Sequence, residues 1–380
     1  MKVVGVAWQG FALPFRKPYV TSEGRATVKF GMLVTLLSDD GVTGIGEASP
    51  VGPSAQAEVK AEAALLESLA PHVVRGARPG AGVPIWTEDQ LPDLRPFVAL
   101  PSLAFGLETA YLDLLSKARG KSICELLGWT RQELPVNAII ASDSPQEAAA
   151  EAAQAVTEGF TSLKLKVGQG LETDVALVGA VRGAVGPSVK LRADTNGAWT
   201  VPHAMEAIRR LAPFDLEYVE QPVAAHDLPG MAMVRRSGSV PIAADEALRS
   251  PGDVERIAKA GAADIFVLKA ARLGGLRASL QAVEAADRWG KTCVVTSSLE
   301  SGVGLAASAH LASFLERHPF AHGLATGLLY LSDLLERPLL PKGQTLPTPQ
   351  GPGLGVALDQ EQLRRYAIDI RGSAGAPVLL

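Results

Sequence analysis

The chain has 380 residues, 47% of them hydrophobic, enough to bury a sizeable core and to predict one large domain beside a smaller one. Its 36 basic and 40 acidic residues nearly balance and form no Lys/Arg block, so charge gives no reason to expect nucleic acid or an anionic membrane as partner. No stretch of about 18 apolar residues occurs, the N-terminus lacks a secretory pattern, and Cys124 and Cys293 are too few for a disulfide framework; a cytoplasmic protein with both thiols reduced is expected.

Residues 1–125 predict an α+β domain. The runs KFGMLVTLLSDDG and VTGIGEASP alternate apolar and polar residues around the turn signal Asp39-Asp40-Gly41, as an antiparallel hairpin does. Two helical stretches follow, AQAEVKAEAALLESLAPHVV and PSLAFGLETAYLDLLSKARG, separated from Arg75 to Asp93 by a Gly- and Pro-rich loop without periodicity.

Residues 126–340 have a different rhythm. Strand-like runs begin near Pro135, Ser162, Val189, Leu216, Pro241, Asp264, Lys291 and Ala321, a spacing of roughly 23 to 30 residues that suits a strand plus a returning helix. Amphipathic segments such as PQEAAAEAAQAVTEG and LRASLQAVEAADRWG lie between them, opened by Ser144-Pro145 and closed by glycines such as Gly159, Gly261 and Gly290. Eight such units predict an α/β fold, a (β/α)8 TIM-type barrel with right-handed crossovers. Residues 341–380 begin loop-like, with PKGQTLPTPQGPGLG, and are expected to pack back on the first domain.

Period two decides which charges share the barrel interior. In SLKLKVG, Lys164 and Lys166 lie on one face and Leu163, Leu165 and Val167 on the other; in LRADTNG the same parity groups Arg192, Asp194 and Asn196. Glu220 in LEYVEQPV, Asp245 in PIAADEA and Lys269 in DIFVLKAAR close three further runs, so five successive strands end in ionisable residues on the face where barrels of this type hold their active sites. Any one of them alone reads as a rim ion pair, worth about 0–1 kcal/mol. Burying three carboxylates together costs several kcal/mol per ion without a compensating cation, and the hard oxygens of Asp194, Glu220 and Asp245 suit Mg²⁺, for which Mn²⁺ can substitute. A lysine beside such a cation and a second lysine has a depressed pKa and can serve as a general base. Lys166 and Lys269, on the second and sixth strands, are expected to face each other across a small-molecule carboxylate whose α-proton is removed.

At these residues the sequence resembles the enolase superfamily and, within it, the muconate-lactonizing-enzyme subgroup. The resemblance rests on Lys164-Leu165-Lys166, Asp194-Thr195-Asn196, Glu220-Gln221-Pro222, Asp245-Glu246, and Lys269 followed by Gly274-Gly275, and it spans almost the whole chain. It implies a modified (β/α)8 barrel with an N-terminal α+β capping domain, whose specificity loops would lie near Phe15–Gly24 and Ser49–Ala55. It further implies Lys166 as base, Lys164 as an auxiliary lowering its pKa, and Asp245 rather than Glu246 as third metal ligand; the lysine base with Mg²⁺ is a known property of the superfamily. Asn196, Arg192, Ser297, Ser298 and Glu300 are expected to bind substrate, and a homo-oligomer is possible. The later pattern TSSLESGVGLAASAHLA, HGLATGLLYLSDLLERPLL and PTPQGPGLGV most resembles the o-succinylbenzoate synthase family, the dehydratases of menaquinone biosynthesis, with N-succinylamino-acid racemases and dipeptide epimerases as neighbours and muconate cycloisomerases further off. Dipeptide epimerases commonly carry Asp-x-Asp at the eighth strand; here His322-Gly323-Leu324-Ala325-Thr326 offers no carboxylate for a substrate ammonium. Gly302-Val303-Gly304 imitates a dinucleotide fingerprint but follows the seventh strand without an acidic partner, and reads as a tight turn. None of His72, His203, His226, His310, His318 and His322 shows ligand or base spacing.

Overall fold

The computed structural model describes residues 1–21, 24–75, 97, 99–128, 133–142, 144–238, 240–315 and 319–378. Most of the predicted loop from Arg75 to Asp93, Ser22 and Glu23 of the first specificity loop, and His318 lie outside the described residues. The chain begins with β1 (Val3–Thr21), β2 (Gly24–Ser38), β3 (Thr43–Ala48), α1 (Ala55–Arg75), α2 (Pro101–Ala118) and α3 (Ile123–Leu127). The hairpin predicted at Asp39-Asp40-Gly41 joins β2 to β3. Met32, Val34 and Leu36 of β2 share one face and are buried with Val59 and Leu66 of α1 and Leu103 and Leu107 of α2, so one period-two face meets two period-3.6 stripes.

The barrel is built from β4 (Glu133–Pro135), β5 (Ala138–Ile140), α4 (Pro145–Thr157), β6 (Ser162–Lys166), α5 (Leu171–Val185), β7 (Lys190–Asp194), α6 (Val201–Leu211), β8 (Leu216–Glu220), α7 (Leu228–Ser237), β9 (Ile242–Ala244), α8 (Pro251–Ala260), β10 (Ile265–Leu268), α9 (Ala270–Leu273), α10 (Leu276–Arg288), β11 (Thr292–Val295) and α11 (Gly302–Ser313). Strands β5 to β11 form one parallel sheet in sequence order. The eighth strand expected near Ala321 is reduced to two parallel bridges, Val136 with His322 and Thr296 with Gly323. His322 N–H donates to the Pro135 carbonyl at 2.7 Å and Gly323 N–H to Val295 at 2.9 Å, which joins the two edges of the sheet and closes the ring.

Leu163 and Leu165 pack outward with the helices, as do Leu191 and Ala193. Inside, Tyr218, Ala243, Ile265, Val267 and Val294 form a separate apolar plug. Glu220, Asp245 and Lys269 each follow a plug residue by two positions, which puts them on the same face one layer nearer the C-terminal rim.

The last stretch contains more regular structure than its composition suggested: β12 (Thr345–Pro347) pairs with β4, and α12 (Gln360–Tyr366) leads into β13 (Ala367–Gly375). Strand β13 pairs antiparallel with β1, giving the N-terminal sheet the order β13-β1-β2-β3.

Candidate active site

Seven strands in order place β6 and β10 three strands apart through β7, β8 and β9. Counted the other way they are also separated by three, namely β5, the closing segment and β11, so Lys166 and Lys269 leave opposite sides of the ring. Asp194, Glu220 and Asp245 stand on the arc between them. All three carboxylates are fully buried.

Lys164 Nζ lies 2.7 Å from Glu220 and 2.9 Å from Asp194, bridging the two acids. Lys166 Nζ donates to Asp194 at 2.7 Å and to Asn196 Oδ1 at 2.9 Å. Lys269 donates to Asp245, whose other oxygen takes a 2.9 Å bond from Arg272. Asn196 has a left-handed backbone (φ 48°), its N–H donates to Asp194 at 3.0 Å, and its amide donates to Glu246 at 3.0 Å. Gln221, also left-handed at φ 41°, accepts from the N–H groups of Asp245 and Ala247 at 3.1 Å each. The glutamine of Glu220-Gln221-Pro222 therefore fixes the turn that presents Asp245.

Charge directions follow from these contacts. Burial raises Glu220 to about 7, reinforced by Asp194 and opposed by Lys164. Asp194 is held well below the ordinary carboxylate range: burial works against ionisation there, but Lys164 and Lys166 outweigh it. Lys166 stands between opposing influences. Burial is the largest of them and lowers it, but Asp194 at 2.7 Å and Tyr19 together outweigh burial and Lys164, so Lys166 lies above its ordinary value. The auxiliary effect of Lys164 is present, but a carboxylate in contact is stronger than a like charge further away.

Arg192 does not join the acids. It lies in the layer beneath, beside Lys164 in register, and bonds Glu217 at 2.7 Å, the Ala321 carbonyl at 2.7 Å and Asn137 at 3.3 Å, with its guanidinium 4.8 Å from the Tyr218 ring centroid. Shared parity placed Arg192 inside, but its long side chain reaches the closing segment instead of the rim. Ser297, Ser298 and Glu300 form a compact loop of their own after β11: Ser297 Oγ and the Ser298 N–H, the latter at 2.7 Å, both donate to Glu300 Oε2. Ser298 Oγ and Glu300 Oε1 are buried without a hydrogen-bond partner. Gly302-Val303-Gly304 is the first turn of α11 rather than a tight turn, and Glu47 of β3 accepts there from Ser301 and Gly304 N–H at 2.9 Å each.

The cap reaches the site along β1. Phe15 stacks on Tyr330 with ring centroids 4.9 Å apart and on Tyr19 at 5.7 Å, and the Tyr19 phenol is near enough to bear on Lys166. Arg272 escaped sequence reading, although its place one helical turn beyond Lys269 was a usable signal.

Among the described residues no three acidic, histidine or cysteine side chains converge tightly enough to clasp a metal ion as placed, because lysine ammonium groups sit against the acids. The donor chemistry nevertheless fits a hard cation. Glu220 Oε2 is buried without a hydrogen-bond partner, and Asp194 and Asp245 are held ionised nearby.

Residues 147–362 match the enolase C-terminal domain-like family, and residues 9–128 match the mandelate racemase / muconate lactonizing enzyme N-terminal domain. The chain belongs to the enolase superfamily, in the muconate-lactonizing-enzyme subgroup. The o-succinylbenzoate synthase of Thermobifida fusca (strain YX) is 45% identical over 249 residues, covering 64% of this chain and 74% of the relative. The L-Ala-D/L-Glu epimerase of Bacillus subtilis (strain 168) is 30% identical over 364 residues, 94% of this chain and 97% of the relative. The crystal structure of muconate lactonizing enzyme from Pseudomonas fluorescens with muconolactone superposes with a TM-score of 0.88 at 28% identity, covering 97% of this chain and 99% of that one. These relatives are enzymes of three different reaction types. The barrel with its N-terminal cap is the superfamily architecture, and among the described residues no helix is long and apolar enough to cross a membrane.

Proposed function

We propose that this enolase-superfamily chain removes a proton α to a carboxylate of a small molecule and that its reaction is the dehydration catalysed by o-succinylbenzoate synthases. The observation that carries the first part is the placement of two lysines on opposite sides of the ring with three buried carboxylates between them. Asp194, Glu220 and Asp245 would hold Mg²⁺, which when bound supplies positive charge to the developing enediolate.

Lys166 takes the α-proton, and the C–H electron pair moves into the substrate carboxylate. Asn196, bonded to Lys166 Nζ at 2.9 Å, orients that amine. Lys269 offers its ammonium to the same developing charge from the far side. The electron pair then returns to form the Cα–Cβ double bond while protonated Lys166 gives its proton to the departing β-hydroxyl, so water leaves; for an o-succinylbenzoate precursor this double bond completes the aromatic ring. For Lys166 to act as base, the pull of Asp194 must be relieved, as it would be if Asp194, Glu220 and Asp245 held a cation.

The 45% identity to a dehydratase supports elimination. The lack of a carboxylate from His322 to Thr326 speaks against a substrate with a free ammonium. A second reading, racemisation of N-succinyl amino acids, is favoured by one feature: Lys269 stands where it can return a proton to the opposite face. Turnover of the o-succinylbenzoate precursor, followed by ultraviolet absorbance beside a panel of N-succinyl amino acids, tests the choice. Racemisation at rates competitive with dehydration would overturn the preferred assignment. Reciprocal α-proton exchange with D₂O by Lys166→Ala and Lys269→Ala, one enantiomer each, would identify a racemase.

A further inference from the structure

The capping sheet buries one ammonium that proton transfer does not use. Lys29 of β2 is 4% exposed, and its Nζ donates to the carbonyls of Ser49 at 3.2 Å, Pro50 at 2.5 Å and Ser298 at 3.4 Å. An ammonium has three N–H donors, so backbone oxygens take all of them. Two acceptors open the cap segment that follows β3. The third lies in the barrel loop that carries Ser297 and Glu300. Four carboxylates face Lys29: Glu300 from that loop, Glu47 from β3, and Glu62 and Glu58 from α1. Burial pulls Lys29 down to about 8 against their influence.

We propose that Lys29 is a positioning residue for substrate recognition: it pins the cap segment Ser49–Ala55 to the Ser298 loop and so fixes the pocket wall that the two share. This rests on the proposed function and on the expectation, from the family resemblance, that both loops face the substrate. Two features of the pinned segments suit such a wall. Ser298 Oγ and Glu300 Oε1 are polar atoms without hydrogen-bond partners, and Val51, next after Pro50 in the cap segment, exposes 42% of its surface. Lys29 itself touches no reacting atom. Its effect passes through backbone carbonyls that no side-chain substitution at Ser49, Pro50 or Ser298 would remove.

Lys29→Met keeps the length of the side chain and deletes its donors. Amide hydrogen exchange, followed by mass spectrometry on the full chain without added metal or substrate, should quicken tenfold or more in 49–55 and 297–301 and stay unchanged in 190–194. In steady state KM should rise tenfold or more with kcat within threefold of the wild type. Wild-type exchange and KM would overturn the proposal, and so would a fallen kcat with KM unchanged, which would put Lys29 in the chemistry. Should Lys29→Met fail to fold, Lys29→Gln is read by the same two measurements: faster exchange confined to the two loops with a raised KM supports the pin, and wild-type values overturn it. If no substrate of the proposed class is turned over, the reaction assignment falls while the exchange measurement still decides the role of Lys29.

Discussion

The barrel rim and the seam between cap and barrel bury carboxylates in two different ways. At the rim, Asp194, Glu220 and Asp245 meet the ammonium groups of Lys164, Lys166 and Lys269 and the guanidinium of Arg272. At the seam, Glu47 meets the first turn of α11, and Glu108 of α2 accepts from Leu276 and Arg277 N–H at 2.5 and 3.3 Å where α10 begins. Burial raises Glu220, Glu47 and Glu108 alike to about 7, so desolvation does not distinguish the two groups. Their partners do. A lysine on a flexible stem can withdraw and leave its carboxylate to another cation, whereas a helix terminus is fixed in place and favours the anion it holds.

The contrast is broken most directly at the rim. Lys166→Ala should lower turnover by about 10²–10⁴-fold or more, the usual worth of a positioned general base, and chelation should abolish activity until Mg²⁺ or Mn²⁺ is restored. Full activity after rigorous metal removal would mean that the three acids do not hold a catalytic cation. Asp194→Asn, Glu220→Gln and Asp245→Asn should each lose most activity yet stay folded. With metal removed, Glu220→Gln should melt at or above the wild type, since burial and Asp194 disfavour its charge, whereas Asp194→Asn and Asp245→Asn should melt lower, since each strips buried cationic partners of their carboxylate. Unfolding of all three under that condition would show the rim acids to be structural, like those at the seam.

The rim was legible in the sequence because alternation alone sends Lys164, Lys166 and Asp194 to one face, and the strand-end position of Glu220, Asp245 and Lys269 does the rest. Arg192 shows the limit of that rule, since parity names the face but not how far a long side chain travels along it. The seam was illegible for a different reason. Glu47 and Glu108 lie in apolar-looking runs, GIGEAS and FGLETAY, and their partners, helix N–H groups with the Ser301 hydroxyl and the Arg277 guanidinium, lie some 170 to 260 positions away, which local patterning does not record. The eighth strand was expected at Ala321 and contributes only bridge residues there. Gly323 abuts the Thr296 side chain, and Arg192 holds the Ala321 carbonyl from within, so the ring closes with little ladder.

One motif shared by the two regions separates them further. Gly274-Gly275 follows Lys269, yet a Cβ at Gly275 would overlap the Glu108 carboxylate, and its backbone has φ 134°. Gly275→Ala should therefore destabilise the fold by roughly 2–5 kcal/mol, through strain and displacement of a buried acid. A denaturant midpoint equal to that of the wild type would show that the Glu108 contact contributes nothing.

The smallest effect is the most diagnostic of how the seam is held. A carboxyl raised from 4.5 to about 7 keeps its proton in the folded chain where the unfolded chain has lost it, so its stabilising contribution is complete below pH 4.5 and is lost as pH rises through about 7. For Glu108 that loss is on the order of 3 kcal/mol, which is what burial leaves after Arg277 and the helix N–H groups have favoured the anion. Glu108→Gln cannot ionise. It should match the wild type to within about 1 kcal/mol in acid and gain on it steadily between pH 4.5 and 7, when unfolding is followed by denaturant titration at each pH. A gap that stays constant across this range would mean that the terminus of α10 already stabilises the Glu108 anion in full, and that burial raises no barrier to its charge.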